Sequence, residues 1–277
     1  AVASDGTLGD AHGKWIPSLN AAMDRSDWPT AKLLRVREVA EAAAVLQSSG
    51  VPVRAGVLDV VAYYKQFRRQ LAELHRNGAV TESGFIVEDR CCFGSAADAA
   101  KCCRASNFFV FHARRALQQV DAAYPPRDHR ILQWLAERRA AGLASGCSEE
   151  KLAESWTCLH ALGMYVDDAS HVSIDDELVA VDGTPWLRDG VAVRRADAHF
   201  EALRASFTRF GLATAKEQSP RACVELLGVE IDLAAGCMRL ASRKRGKYAD
   251  ACDTMAARST CPLTEYLGLL GRLNFAA

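Results

Sequence analysis

An α+β fold is what the sequence predicts, and three observations carry that reading. Short β-branched runs and amphipathic segments are intermixed, no strict strand–helix–strand repeat links them, and two stretches read as hairpins. The chain has 277 residues, 49% of them hydrophobic and 25% charged, enough for a sizeable core.

Residues 1–30 are polar and punctuated by Gly and Asp, and read as irregular. The segment 30–50, TAKLLRVREVAEAAAVLQSSG, has helical spacing and closes on Gly50 as a C-terminal cap. VPVRAGVLDVV (51–61) is a buried strand delivering Asp59 at its end. YYKQFRRQLAELHRNG (63–78) reads as a helix, residues 79–94 as extended chain, and 96–120 as a long helix. A break at AAYPPRDHR (122–130) precedes a charged helical stretch to about residue 155. LGMYVDDASHVSID (162–175) is a hairpin joined at the Asp pair. In the helix 194–211, Phe200, Leu203, Phe207 and Phe210 share one face before Gly211. VELLGVEID and MRLA flank Leu233–Gly236 as a second hairpin, and PLTEYLGLLGRLNF (262–275) is a helix with Pro in its first turn.

Lys plus Arg and Asp plus Glu both total 34, which argues against a uniformly basic nucleic-acid binder. Charge is unevenly placed, however. Residues 65–69 and 239–247 are basic, whereas 167–176 and 225–232 are acidic, so a basic groove can lie beside an acidic centre. The ten cysteines form no C-x-x-C pair and the histidines no H-x₃₋₅-H pair, which speaks against zinc and for reduced thiols in an intracellular protein. No apolar run approaches membrane-spanning length and no secretory h-region is present, so neither a membrane nor secretion is expected. The chain begins without Met and stops in mid-pattern at LGRLNFAA, as a fragment of a longer protein would.

Asp59 and the pair Asp167–Asp168 each lie where an apolar strand ends. Carboxylates gathered at strand ends repel one another unless a hard cation such as Mg²⁺ joins them, and two such ions support in-line phosphoryl displacement. A bare Asp–Asp pair also suits a polar hairpin turn, while Y-x-D-D is a stricter pattern.

Six segments then fall in a telling order: LDVVAYYKQF (58–67), CCFGSAADAAKCCRASNFF (91–109), MYVDD (164–168), FGLATAKEQ (210–218), LLGVEID (226–232) and LTEYLGLLGRLNF (263–275). This resembles the reverse transcriptase domain of retroelements, most closely retrotransposons of the Ty3-like and DIRS-like kinds. The resemblance implies a right-hand polymerase palm, an antiparallel sheet backed by helices, with partial fingers and the start of a thumb or connection. It divides the chain into partial fingers (1–50), palm with motifs A and B (51–121), a helical insertion (122–156), palm with the later motifs (157–235) and the start of the thumb (236–277).

The resemblance implies that Asp59, Asp167 and Asp168 are catalytic and hold two Mg²⁺ ions, with Mn²⁺ as a substitute. Tyr64 matches the aromatic beneath the incoming sugar, although a core Tyr on a helix face fits as well. Phe93 and Gly94 match the nucleotide-contacting motif, with Cys92 and Ala99 where the family has prolines. Lys216 matches the lysine that neutralises or protonates the leaving pyrophosphate; a solvated surface lysine is the alternative. Lys14 supplies the first basic residue of the triphosphate grip, with Arg54 or Arg68 as substitutes for the second. Leu227 and Gly228 match the primer-grip hairpin. The implied activity is RNA-directed DNA polymerisation: a primer 3′-hydroxyl attacks a dNTP on an RNA or DNA template, in a chain belonging to a longer polyprotein. The alternative is a decayed or domesticated copy that keeps the fold and binds nucleic acid.

Overall fold

Residues 8–9, 15–16, 34–68, 78–81, 84–91, 96–152 and 156–276 are described by the computed structural model of the chain. At its centre lies a four-stranded antiparallel sheet built from β1 (Val53–Val60), β2 (His160–Tyr165), β3 (Asp168–Ile174) and β4 (Thr214–Arg221), in the order β4-β1-β3-β2. Strand β1 is apolar along most of its length because both of its faces are covered. Val53, Ala55 and Val57 pack on one face with Val39, Ala43 and Leu46 of α1 (Val36–Gln47). Leu58 and Val60 point the other way, toward α2 (Ala96–Ala123) and α4 (Arg195–Arg209), which contribute Phe109, Leu117, Leu203 and Phe207. Gly56 permits this second packing, since a Cβ there would lie 2.7 and 2.9 Å from ring carbons of Phe200.

The charged stretch after the Pro–Pro break folds as α3 (His129–Ala144), capped by the Asp128 side chain on the Arg130 amide. It is part of the core: Ile131 and Trp134 bury against α1 and β1, and the Trp134 indole donates to Ser48 Oγ at 2.9 Å. The Arg138 guanidinium lies between the Trp134 and Trp156 rings, 5.1 and 5.3 Å from their centroids.

Beyond the sheet, a three-stranded meander contains β5 (Cys223–Leu226), β6 (Val229–Asp232) and β7 (Cys237–Leu240). VELLGVEID is therefore itself a hairpin, folded at Leu227–Gly228, and the expected turn at 233–236 is the second of two. Both turn residues have positive φ, 53° and 79°, the pattern of a type I′ turn that matches strand twist. Helices α5 (Ser242–Ala256) and α6 (Leu263–Ala276) follow; α6 was expected. Helix α5 was not, because none of its residues is buried and no apolar stripe marks it.

The helix expected from residue 63 is a 3₁₀ turn over Tyr63–Gln66; Phe67 is already extended and Arg68 bridges Arg90. Burial of both Tyr63 and Tyr64 overrides the helical period there. The remainder of that segment up to residue 77 is outside the described residues. Extended chain at 78–87 is present as a hairpin of Gly78–Thr81 with Gly84–Val87. Among the described residues no helix is long and apolar enough to cross a membrane, and the described cysteines are free thiols.

Candidate active site

The sheet register brings the aspartates together. Asp59 is the direct cross-strand partner of Asp168, which places both side chains on the same face at one end of β1 and β3. Tyr165 pairs with Asp168 across β2 and β3, so the two-residue turn between them is Val166–Asp167. The turn is one residue earlier than the Asp pair, and Asp168 already belongs to β3. The Val60 amide donates to the Asp167 carbonyl at 3.0 Å, tying the turn to β1.

Strand β4 completes this end. Ala215 pairs with Asp59, but the next partners are Gln218 and Val57, so β4 carries an extra residue, a bulge, at Lys216–Glu217. Lys216 has φ 50° there, and its Nζ lies 3.2 Å from Asp59 Oδ2 while the side chain is otherwise exposed. The bulge aims the lysine across the sheet edge at the carboxylates. Lys216 and the three aspartates thus converge at one end of the sheet.

Electrostatically the cluster is short of positive charge. Burial, then repulsion from Asp59, pushes the Asp167 carboxyl up against the opposing pull of Lys216. Burial and the charges of Asp167 and Asp59 push Asp168 up to about 6. An all-oxygen donor set with uncompensated negative charge fits a hard divalent cation such as Mg²⁺ or Mn²⁺.

Tyr64 lies in the adjoining core with Leu162, Met164 and Cys102, and burial, Cys102, Cys103 and Asp167 push its phenol up to about 12. Leu227 and Gly228 form the tip of the β5–β6 hairpin. Lys244 crosses that tip: its Nζ donates to the Leu227 carbonyl at 2.8 Å, and its side chain fills the space a Cβ on Gly228 would need. The meander is clamped to the β4 bulge by Gln218, which donates to Glu225 O at 2.7 Å and accepts from Glu225 N at 3.0 Å. Arg54, a candidate for the triphosphate grip, lies on the opposite face of β1 from Asp59 and is bound to Asp197 at 3.0 Å, to Asp175 at 3.4 Å and to the Pro220 carbonyl. It is a structural cation at the other end of the strand. Lys14, Phe93 and Gly94 lie outside the described residues.

Two arrangements here have no sequence signature. The first supports the turn. Val166 has φ 55°, although it is β-branched, a conformation that costs about 1–3 kcal/mol. Beneath it Ser106 Oγ of α2 lies 2.8 Å from the Val166 carbonyl and 2.9 Å from the Tyr63 hydroxyl.

The second is a buried network behind the sheet, linking α2, β2, β3 and α4. Asp121 Oδ1 accepts from Arg195 Nη1 at 2.7 Å and from His199 Nε2 at 2.9 Å, and Oδ2 meets His160 Nδ1 at 3.1 Å. Arg195, fully buried, also binds Asp176 and the Tyr124 carbonyl, and His199 Nδ1 meets Ser173 Oγ at 2.9 Å. Burial would raise the Asp121 carboxyl, but hydrogen bonds from His160 and His199 and their charge hold it well below the usual range. Donor atoms of Asp121, His160 and His199 lie within 4.8 Å of one another, close enough to share an ion. The spacing rules that argued against zinc read local pairs and cannot see this set, drawn from three separate elements. Arg195 already neutralises it, however, and both imidazoles donate to the carboxylate, so it reads as an ion-pair network, with His160 Nε2 buried and unpartnered at its edge. The aspartates at the sheet end are not gathered as tightly.

No protein-family model matches the sequence, and no curated protein matches it. Solved structures of the foamy viral protease-reverse transcriptase are similar at 14% identity over 98% of this chain. In complex with double-stranded DNA the TM-scores are 0.47 and 0.43, and with an RNA/DNA hybrid 0.48. The chain spans 35%, 41% and 27% of the length of those proteins, respectively.

Proposed function

We propose that this chain is the polymerase domain of a reverse transcriptase, extending a primer 3′-hydroxyl with dNTPs on an RNA or DNA template. One observation carries the reading: the register that sets Asp59 opposite Asp168, beside Asp167 in the turn and Lys216 in the bulge. Six sequence segments in the order of the family's motifs support it.

Asp59, Asp167 and Asp168 would hold the divalent ions, which supply Lewis-acid activation of the attacking hydroxyl and charge neutralisation at the triphosphate. The chain's own contribution is positional. The paired strands fix two carboxylates on one face, and the Val60–Asp167 bond fixes the third. Lys216, bound to Asp59 through one exposed side chain, can leave that partner to neutralise or protonate the departing pyrophosphate. Tyr64, a ring held in the core that adjoins the aspartates, would be the group that excludes a 2′-hydroxyl. Leu227–Gly228, held by Lys244, supports the primer strand.

Primer extension on an RNA template with Mg²⁺ and dNTPs tests the proposal. Asp167→Asn is expected to abolish extension while template–primer affinity stays within about twofold. A wild-type chain that binds template–primer and extends nothing would instead identify a non-catalytic nucleic-acid-binding copy of the fold.

A further inference from the structure

We infer that Tyr63 and Ser106 are positioning residues that hold the Val166–Asp167 turn, and with it the carboxylates, in a conformation its own sequence disfavours. The inference rests on reading the three aspartates as the centre of phosphoryl transfer.

A two-residue hairpin turn with positive φ at its first central position and not at its second belongs to the type II′ class, where glycine is preferred at the first. Val166 occupies that position with φ 55°, so something outside the turn must hold it. The Ser106 hydroxyl is that agent: Oγ lies 2.8 Å from Val166 O. Ser106 carries a single proton and faces two carbonyls, Val166 O and, one helical turn back, Cys102 O at 2.9 Å. Left alone, it would bond back to its own helix, as serines in helices do.

Tyr63 decides between them. Its hydroxyl lies 2.9 Å from Ser106 Oγ and 3.0 Å from Cys102 O. We assign the Tyr63 proton to Cys102 O, where it takes up one lone pair of the acceptor that competes for the Ser106 proton and so biases that proton toward Val166 O. Burial holds the Tyr63 phenol well above its ordinary pKa, so it remains a donor at every working pH. Tyr63 and Ser106 are each only 2% exposed, so water does not compete. Tyr63 follows Asp59 by four residues, and the relay therefore couples the end of β1 to the turn that carries its partner carboxylates.

The test uses Tyr63→Phe, Ser106→Ala and the double variant in the full chain. Amide hydrogen exchange across residues 163–169 reads the turn without any metal. Mn²⁺ binding by electron paramagnetic resonance reads the carboxylates, and primer extension reads the reaction. The expected result is exchange faster by about fivefold or more in each single variant, with Mn²⁺ bound several-fold more weakly. The value of kcat should fall about tenfold while the dNTP KM moves less than about twofold. Because the two hydroxyls act as one relay, the double variant should be no worse than the worse single one. Unchanged turn exchange in both single variants, or fully additive losses, overturns the inference. So does a fall in melting temperature with unchanged exchange and Mn²⁺ affinity, which marks a purely structural role. Faster exchange in the variants of a chain whose wild type extends no primer defeats the polymerase reading and leaves the positioning role standing.

Discussion

Asp168 illustrates how one buried carboxylate at the proposed metal site costs the fold stability. Burial and two neighbouring carboxylates raise its pKa to about 6, so the charged form is costly in the ion-free protein. The folded-state value lies above the unfolded one. Its contribution to stability is therefore complete below the ordinary carboxylate range and is lost as pH rises through about 6. Asp168→Asn should raise the melting temperature at pH 7 by about 2–4 °C, while weakening Mn²⁺ binding at least tenfold. Calorimetry at pH 5 and pH 7 checks this, because the gain should shrink at the lower pH. An Asn variant less stable at pH 7 would mean the charge is already compensated. The three aspartates stood out in the sequence as carboxylates at the ends of apolar strands, whereas Lys216 was singled out only by the resemblance; the structure brings all four to one end of the sheet. Nothing marked Tyr63, Ser106 and Val166: each is an ordinary residue in its own segment, and only the fold makes them a relay.

At the scale of elements, legibility followed the apolar pattern. Strands β1, β2 and β3 and helices α1, α2 and α4 bury clear stripes, and each was readable. Strand β4 (TAKEQSPR) hides behind Lys, Glu, Gln and Pro because it is a bulged edge strand, where a proline is tolerated. The resemblance makes residues 122–156 a helical insertion between matched motifs, and within them Ile131 of helix α3 is completely buried against the core. Ile131→Ala should cost about 2–5 kcal/mol, measured by denaturant unfolding, whereas a dispensable insertion would lose almost nothing. The network joining α2, β2, β3 and α4 has its own signature. His171 is fully buried with neither ring nitrogen partnered, and burial followed by the nearby His199 and His160 depresses its pKa far below the ordinary value. Burial depresses His199 as well. These groups stabilise the fold above the unfolded histidine pKa, and that contribution is lost as pH falls below about 6.5. Replacing His171 with Leu removes a buried polar group that bonds to nothing. It should leave stability at pH 7 unchanged or higher and move the acid-unfolding midpoint downward. A large loss at pH 7 would show that the imidazole has a partner the protein needs.

For the whole molecule, formal neutrality conceals a division of charge that bears on how a polyanion would be held. The acidic centre lies at the end of β1 and β3, whereas the first turns of α5 present Arg243, Arg245 and Lys247 to solvent. Helix α5 has no buried residue of its own, so its place in the fold is not explained by core packing. It begins directly after the β5–β7 meander, and Lys244, on its inner side, anchors it to the Leu227 carbonyl at the hairpin tip. That anchor fixes the three outward cations relative to the proposed primer support. A template–primer duplex bound there would be held through its phosphates, by charge and without regard to sequence. Changing Arg243, Arg245 and Lys247 to Ala should weaken duplex binding equally for unrelated sequences. The slope of log affinity against log salt should flatten by about 0.9 for each phosphate no longer neutralised. The thermal stability should hardly change, since none of the three side chains packs against the core. Fluorescence anisotropy over a salt series with two unrelated duplexes measures all of this. An unaltered slope would place the nucleic acid elsewhere on the molecule, and a loss confined to one duplex would mean that these residues read bases and not the backbone.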